Sequence, residues 1–103
     1  MDIKQSLEVV SRTGKYVAGY RKTLHLCLNK RAELVIVSEK AKPEHLQALE
    51  YASKISGVPI LKVGLSPSDI GVALRKNFAV ASLAILDAGS ADFGELQGEG
   101  YGE

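Results

Sequence analysis

Leu34, Val35, Ile36 and Val37 form an unbroken apolar run between Glu33 and Ser38, and no other stretch limits the possible folds of this chain as strongly. The run has the length of a strand but lacks the alternation of a strand with one wet face. Such a strand is covered on both sides, as in a sheet held between layers of helix. It belongs at the sheet centre. A second long apolar stretch, Val80 to Leu86, has the same character and is the other central strand.

Helical patterns and short strands fill the rest. Ile3, Leu7, Val9 and Val10 recur at helical spacing over residues 3–12, and Gly14 stands where a terminating glycine would. Tyr16 to Ala18 is a short strand. Tyr20 to Leu28 places Leu24, Cys27 and Leu28 on one stripe, with Asn29 as the stop and Lys30 and Arg31 at the negative end of the helix. Pro43 suits the first position of a helix running through Leu46, Leu49, Ala52 and Ile55 to Gly57, with Pro59 beyond. Val58 to Val63 is a further strand. Ser66-Pro67-Ser68-Asp69 then opens a helix, with Ser66 as N-cap and Asp69 at the third position, and it continues to Leu74 with Arg75 and Lys76 at its end. Four helix–strand repeats predict an α/β protein, a three-layer sandwich with helices on both faces of one sheet.

Of the 103 residues, 46% are hydrophobic and 24% charged, which fits one ordered domain rather than a disordered chain. The domain is expected over residues 1–93. Residues 94–103, rich in glycine and acid, are expected to be a mobile tail. No run approaches the roughly 18 apolar residues of a membrane span, and the amphipathic start lacks the apolar centre of a signal peptide. A soluble cytoplasmic protein is the expectation. Cys27 is the one cysteine, which rules out a disulfide framework and reads as a small buried hydrophobe. His25 and His45 have no cysteine or acid at ligand spacing nearby, so no metal, cofactor, catalytic residue or small-molecule substrate is expected.

Charge is unevenly spread. Residues 1–42 hold nine Lys/Arg against four Asp/Glu, whereas residues 87–103 hold five acids and no base. A basic half suggests a polyanionic partner on one face. The clearest anomaly is Gly14-Lys15-x-x-x-Gly19-x-Arg21-Lys22-Thr23, which puts two cations in the first turn of a helix. The positive end of the helix disfavours each by about 0.3–1 kcal/mol. Lys40 and Lys42 repeat the pattern before the Pro43 helix. Gly19 and the following turn offer backbone N–H groups to an anion, which would make these cations welcome. Gly14 to Gly19 is only superficially a phosphate loop, since Gly14-Lys15 precedes its strand. Phe78, between Asn77 and the strand at Val80, is either core or a ring offered to a base.

Together with Ala41-Lys42-Pro43, Ser66-x-x-Asp69-Ile70-Gly71, Phe78-x-Val80 and Leu86-Asp87-x-Gly89, this motif resembles the L-thirty-e family of archaeal and eukaryotic large-subunit ribosomal proteins. That family lies within the L-seven-Ae superfamily of kink-turn RNA binders. The resemblance covers residues 3 to 93. It implies a four-stranded mixed sheet in an α/β/α sandwich and recognition of a sharply bent internal loop of ribosomal RNA by three loops at one sheet edge. It implies a place in the cytoplasmic ribosome beside neighbouring ribosomal proteins, with no enzymatic, membrane or cofactor role. By position, Gly14, Lys15, Gly19, Arg21, Lys22, Lys40, Lys42, Phe78 and Val80 become the RNA-binding set. In that set Gly19 admits close backbone approach, Lys15, Arg21 and Lys22 meet phosphates or base edges, and Phe78 and Val80 pack an extruded nucleotide. Lys40 stands where the family usually has a guanine-reading asparagine. Lysine donates but cannot accept, so it lacks the amide's paired contacts. A non-ribosomal kink-turn adaptor nucleating a small ribonucleoprotein is the nearest alternative, and a protein–protein adaptor of the same fold is the alternative of another class. The latter has no need of clustered Lys15, Arg21 and Lys22.

Overall fold

The computed structural model describes residues 2–93. Eight elements follow in the predicted order: α1 (Ile3–Thr13), β1 (Lys15–Ala18), α2 (Tyr20–Leu28), β2 (Leu34–Ser38), α3 (Pro43–Ser56), β3 (Ile60–Val63), α4 (Pro67–Ala73) and β4 (Ser82–Asp87). The expected tail, residues 94–103, lies outside the described residues. The strands form one mixed sheet in the order β1-β4-β2-β3. β3 is parallel to β2, and β4 runs antiparallel to both of its neighbours, β1 and β2. β1, β2 and β3 therefore all point the same way.

β2 is buried at all five positions. Strand alternation divides its side chains between two cores. Leu34 and Ile36 pack with Leu7 and Val10 of α1 and Ile70 of α4. Val35 and Val37 face the other side, with Cys27 of α2 and Leu49 and Ala52 of α3. The result is the three-layer sandwich, with a core on each face of the sheet. Each aliphatic side chain taken fully from water contributes about 1.5–3 kcal/mol, so the doubly covered strand is strongly held.

Capping follows local chemistry. Ser66 Oγ accepts from Asp69 N at 3.1 Å, as its spacing predicts. At α1, Asp2 accepts from Gln5 N at 2.8 Å while Gln5 Oε1 accepts from Asp2 N at 3.2 Å, a reciprocal box that the apolar periodicity does not reveal. Gly14 ends α1 in extended rather than left-handed backbone. Its small size matters for another reason: a methyl group there would collide with the carbonyl oxygen of Asp87.

Several boundaries move inward from the sequence reading. β3 starts at Ile60 because Pro59 has no N–H, although its carbonyl still accepts from Val35 N at 2.9 Å. β4 starts at Ser82 because Val80 N donates instead to the Pro67 carbonyl at 3.0 Å, tying the chain to α4. On α2 the buried positions are Thr23 and Cys27, and Leu28 is turned to solvent. Ile55 of α3 is likewise exposed.

Thr23 leaves a buried hydroxyl without a hydrogen-bond partner among the described residues. An orphaned buried donor costs about 1–3 kcal/mol. Thr23→Val keeps the shape and removes the orphan, so it is expected to raise stability by roughly 1 kcal/mol. Thermal unfolding followed by circular dichroism checks this, and a lower melting temperature would contradict it.

Candidate nucleic-acid interface

Because β4 runs against the other three strands, one end of the sheet collects the C-termini of β1, β2 and β3 and the N-terminus of β4. Gly19 N donates to Ser82 O at 3.0 Å, Ser38 N to Ala81 O at 2.8 Å and Glu39 N to Val63 O at 2.8 Å, so the loops leaving these strands share one loop edge. Gly19, Arg21, Lys22, Lys40, Lys42 and Phe78 all stand on it.

Gly14 and Lys15 do not. Lys15 pairs with Asp87, at the end of β4 far from Ser82. Three residues of strand, about 10 Å, separate it from Ala18. Gly14 is required there for packing against Asp87, and this junction continues through Gly89 and through Ser90 N, which donates to Thr13 Oγ1 at 3.0 Å. Val80 is buried in the α1/α4 core and also lines the hollow beside Phe78, so it supports the edge from beneath.

The first lip is the start of α2. Gly19 is the N-cap, with φ of 113° and no side-chain hydrogen bond to the helix. That φ is one that L side chains rarely adopt, and the space where a Cβ would point is open. Backbone at this point is thus bare to a ligand. Arg21 and Lys22 follow in a first turn that contains no acid, and both are exposed.

The second lip precedes α3. Lys42 is the N-cap and provides no capping bond, although Glu44 in the first turn meets part of the dipole. Ser38 organises this lip: its hydroxyl donates to Leu65 O at 2.7 Å and accepts from Lys40 N at 3.0 Å. These bonds tie the second loop to the third. The third loop, Gly64 to Ser66, carries no charge.

Phe78 resolves the choice that the sequence leaves open. Its side chain is 56% exposed and belongs to neither core. It borders a hollow of about 300 Å³ whose other walls include Gly19, Tyr20, Lys42, His45 and Ala79. Tyr20 and His45 are stacked there, with ring centroids 3.7 Å apart and planes within 3°. The pair joins the first turns of α2 and α3, and its members lie too far apart in the chain for any local pattern to announce them. His45 is thereby held as part of a wall.

Among the described residues, Arg21, Lys22, Lys40 and Lys42 form no ion pair. The ion pair that is present, Lys62 Nζ to Glu50 Oε2 at 2.7 Å, lies between β3 and α3 and keeps the Lys62 ammonium above its ordinary pKa. No group of three or more His, Cys, Asp or Glu among the described residues is placed to hold a metal ion. No helix there is long and apolar enough to cross a membrane. Cations without ion-pair partners among the described residues and an apolar ring beside a hollow of nucleotide dimensions are features that single-stranded RNA sites use.

Comparison with known proteins agrees with this architecture. The family model described as "Ribosomal protein L7Ae/L30e/S12e/Gadd45 family" matches residues 1–93. The large ribosomal subunit protein eL30 of Oryza sativa subsp. japonica is 33% identical over 98 residues, covering 95% of this chain and 88% of that protein. That of Aeropyrum pernix is 29% identical, covering 88% of this chain and 91% of its own. The eL30B protein of Schizosaccharomyces pombe is 33% identical, with 87% and 77% covered. With four helices layered on a four-stranded mixed sheet and a family match over residues 1–93, this chain belongs to the ribosomal protein L7Ae/L30e/S12e/Gadd45 family.

Proposed function

We propose that the chain is a structural constituent of the large ribosomal subunit that grips a kink-turn or related internal loop of ribosomal RNA with its loop edge. The acting unit is the domain of residues 1–93, working by binding rather than catalysis, in the cytoplasmic ribosome beside neighbouring ribosomal proteins. One observation carries this reading: four exposed cations, without ion-pair partners among the described residues, meet an exposed phenylalanine at one end of the sheet. The eL30 names of archaeal and eukaryotic relatives support the ribosomal setting.

In this reading Gly19 brings the backbone close to the RNA, and Arg21, Lys22, Lys40 and Lys42 meet phosphates around the bend. Phe78 stacks an extruded base, with Val80 bracing the strand entry below. Co-sedimentation with ribosomal subunits, together with titration of a kink-turn RNA against an uninterrupted duplex, tests the whole. A protein that stays free of large subunits and prefers neither RNA would refute it.

Phe78→Ala isolates the stacking part. Base–aromatic stacking is worth about 1–3 kcal/mol, so affinity is expected to fall roughly tenfold or more. The ring is largely exposed, so the melting temperature should stay close to wild type. A large drop in melting temperature would instead make Phe78 a packing residue.

A further inference from the structure

Phe78 also borders a second hollow. This one measures about 270 Å³ and is bounded also by Ser68, Val72, Lys76, Asn77 and Ala79. Val72 is 67% exposed, so the floor of this hollow is an apolar surface open to solvent beside an aromatic ring. Asn77 supplies a carboxamide at its rim, and that side chain makes no hydrogen bond with any described residue. The other described carboxamides lie elsewhere: Gln5 in the α1 cap, Asn29 at the far end of α2 bonded to His25 O at 2.8 Å, and Gln47 at the hollow between α3 and β3.

The loop that carries Asn77 is held rigidly. Arg75 adopts left-handed backbone with φ of 63°. Arg75 N donates to Val72 O at 2.9 Å, Lys76 N to Gly71 O at 2.9 Å and Val80 N to Pro67 O at 3.0 Å. The Phe78 carbonyl rests directly on Gly71, whose missing side chain makes room for it. Asn77 and Phe78 are therefore presented together on a platform that needs little further ordering when a ligand arrives.

We propose that Asn77 is a specificity-determining residue that reads the edge of an unpaired adenine lodged against Phe78 on the α4 side of the loop edge. The proposal rests on the RNA-binding reading above and adds a named base to it. The chemistry selects the residue. Lys40 and Lys76 only donate, and Ser68 donates and accepts through one oxygen, whereas a carboxamide donates from one atom and accepts at another, a spacing that matches adenine N7 and N6 as a pair. A base in this hollow would have one face on apolar surface and its edge toward Asn77.

The test uses a kink-turn RNA in which each unpaired nucleotide is varied in turn through A, G, C and U, bound by wild type, Asn77→Ala and Asn77→Asp. Wild type is expected to prefer adenine at one position by about tenfold, and both variants to lose that preference. The salt dependence of Asn77→Ala should match wild type, because no phosphate contact is removed and no charge is added. Replacing that adenine by 7-deazaadenine, which lacks the N7 acceptor, should weaken wild type and leave Asn77→Ala unchanged. If wild type binds the kink-turn RNA but shows no adenine preference, or if both variants retain one, Asn77 does not read a base and the RNA reading stands alone. If wild type binds the kink-turn RNA no better than duplex, the RNA reading itself fails, and this proposal with it.

Discussion

Arg21→Ala combined with Lys22→Ala is expected to weaken binding of a kink-turn RNA roughly 25- to 60-fold at 0.1 M salt and to flatten its salt dependence. The estimate follows from counterion release: each phosphate contact adds about 0.7–0.9 to the slope of log affinity against log salt, worth a factor of about 5–8 between 1 M and 0.1 M. Two such contacts multiply. Neither side chain is buried or ion-paired among the described residues, so folding should survive the change. In the absence of RNA the variant is expected to melt slightly higher, since it relieves two cations at the positive end of α2. Titrations at several salt concentrations check the result. An unchanged affinity and slope would remove α2 from the interface, and a slope lowered by only one unit would leave a single phosphate contact there.

The largest effect on stability is expected from Gly71→Ala. The new methyl group would run into the carbonyl of Phe78, a backbone atom that no rotamer change can move aside. Overpacking of this kind costs about 1–3 kcal/mol or more, and the upper part of that range fits a clash with backbone. For a domain this small, about 2–3 kcal/mol lowers the melting temperature by some 10–20 °C. RNA affinity should fall as well, because the displaced segment carries Phe78. Gly64→Ala is the control, since its added carbon meets open space. Equal melting temperatures for wild type and Gly71→Ala would show that the loop gives way at little cost.

Much of this architecture is legible in residue patterns, and the parts that are not have physical reasons. The run Leu34–Val37 announces a doubly covered strand, because burial on both faces leaves no polar positions. Gly19, Arg21 and Lys22 are legible as a site because charges set against a helix dipole need a reason outside the fold. Lys15 stands close to them in sequence, but a strand turns proximity into separation: four residues carry the chain from one end of the sheet to the other. Whether Phe78 is core or surface is not encoded locally, since it depends on Val80 being drawn to Pro67 and on the Phe78 carbonyl seated against Gly71. The Tyr20–His45 stack arises only when α2 and α3 lie side by side. The antiparallel insertion of β4 between β1 and β2, which creates the loop edge, depends on the order of strands in space, and no single strand encodes that.

The cations that face two helix starts bear on the life of the molecule apart from its partner. Free of RNA, Arg21, Lys22 and Lys42 raise the energy of the folded chain at both starts, while a bound polyanion neutralises them and stabilises only the folded form. Occupied and orphan copies then differ in resistance to unfolding, and a cell's quality-control proteases act on whichever unfolds more often. In the proposed role, the charges that recognise RNA also make the unassembled copy the shorter-lived one. The supply of partner RNA would then set how much of the protein persists.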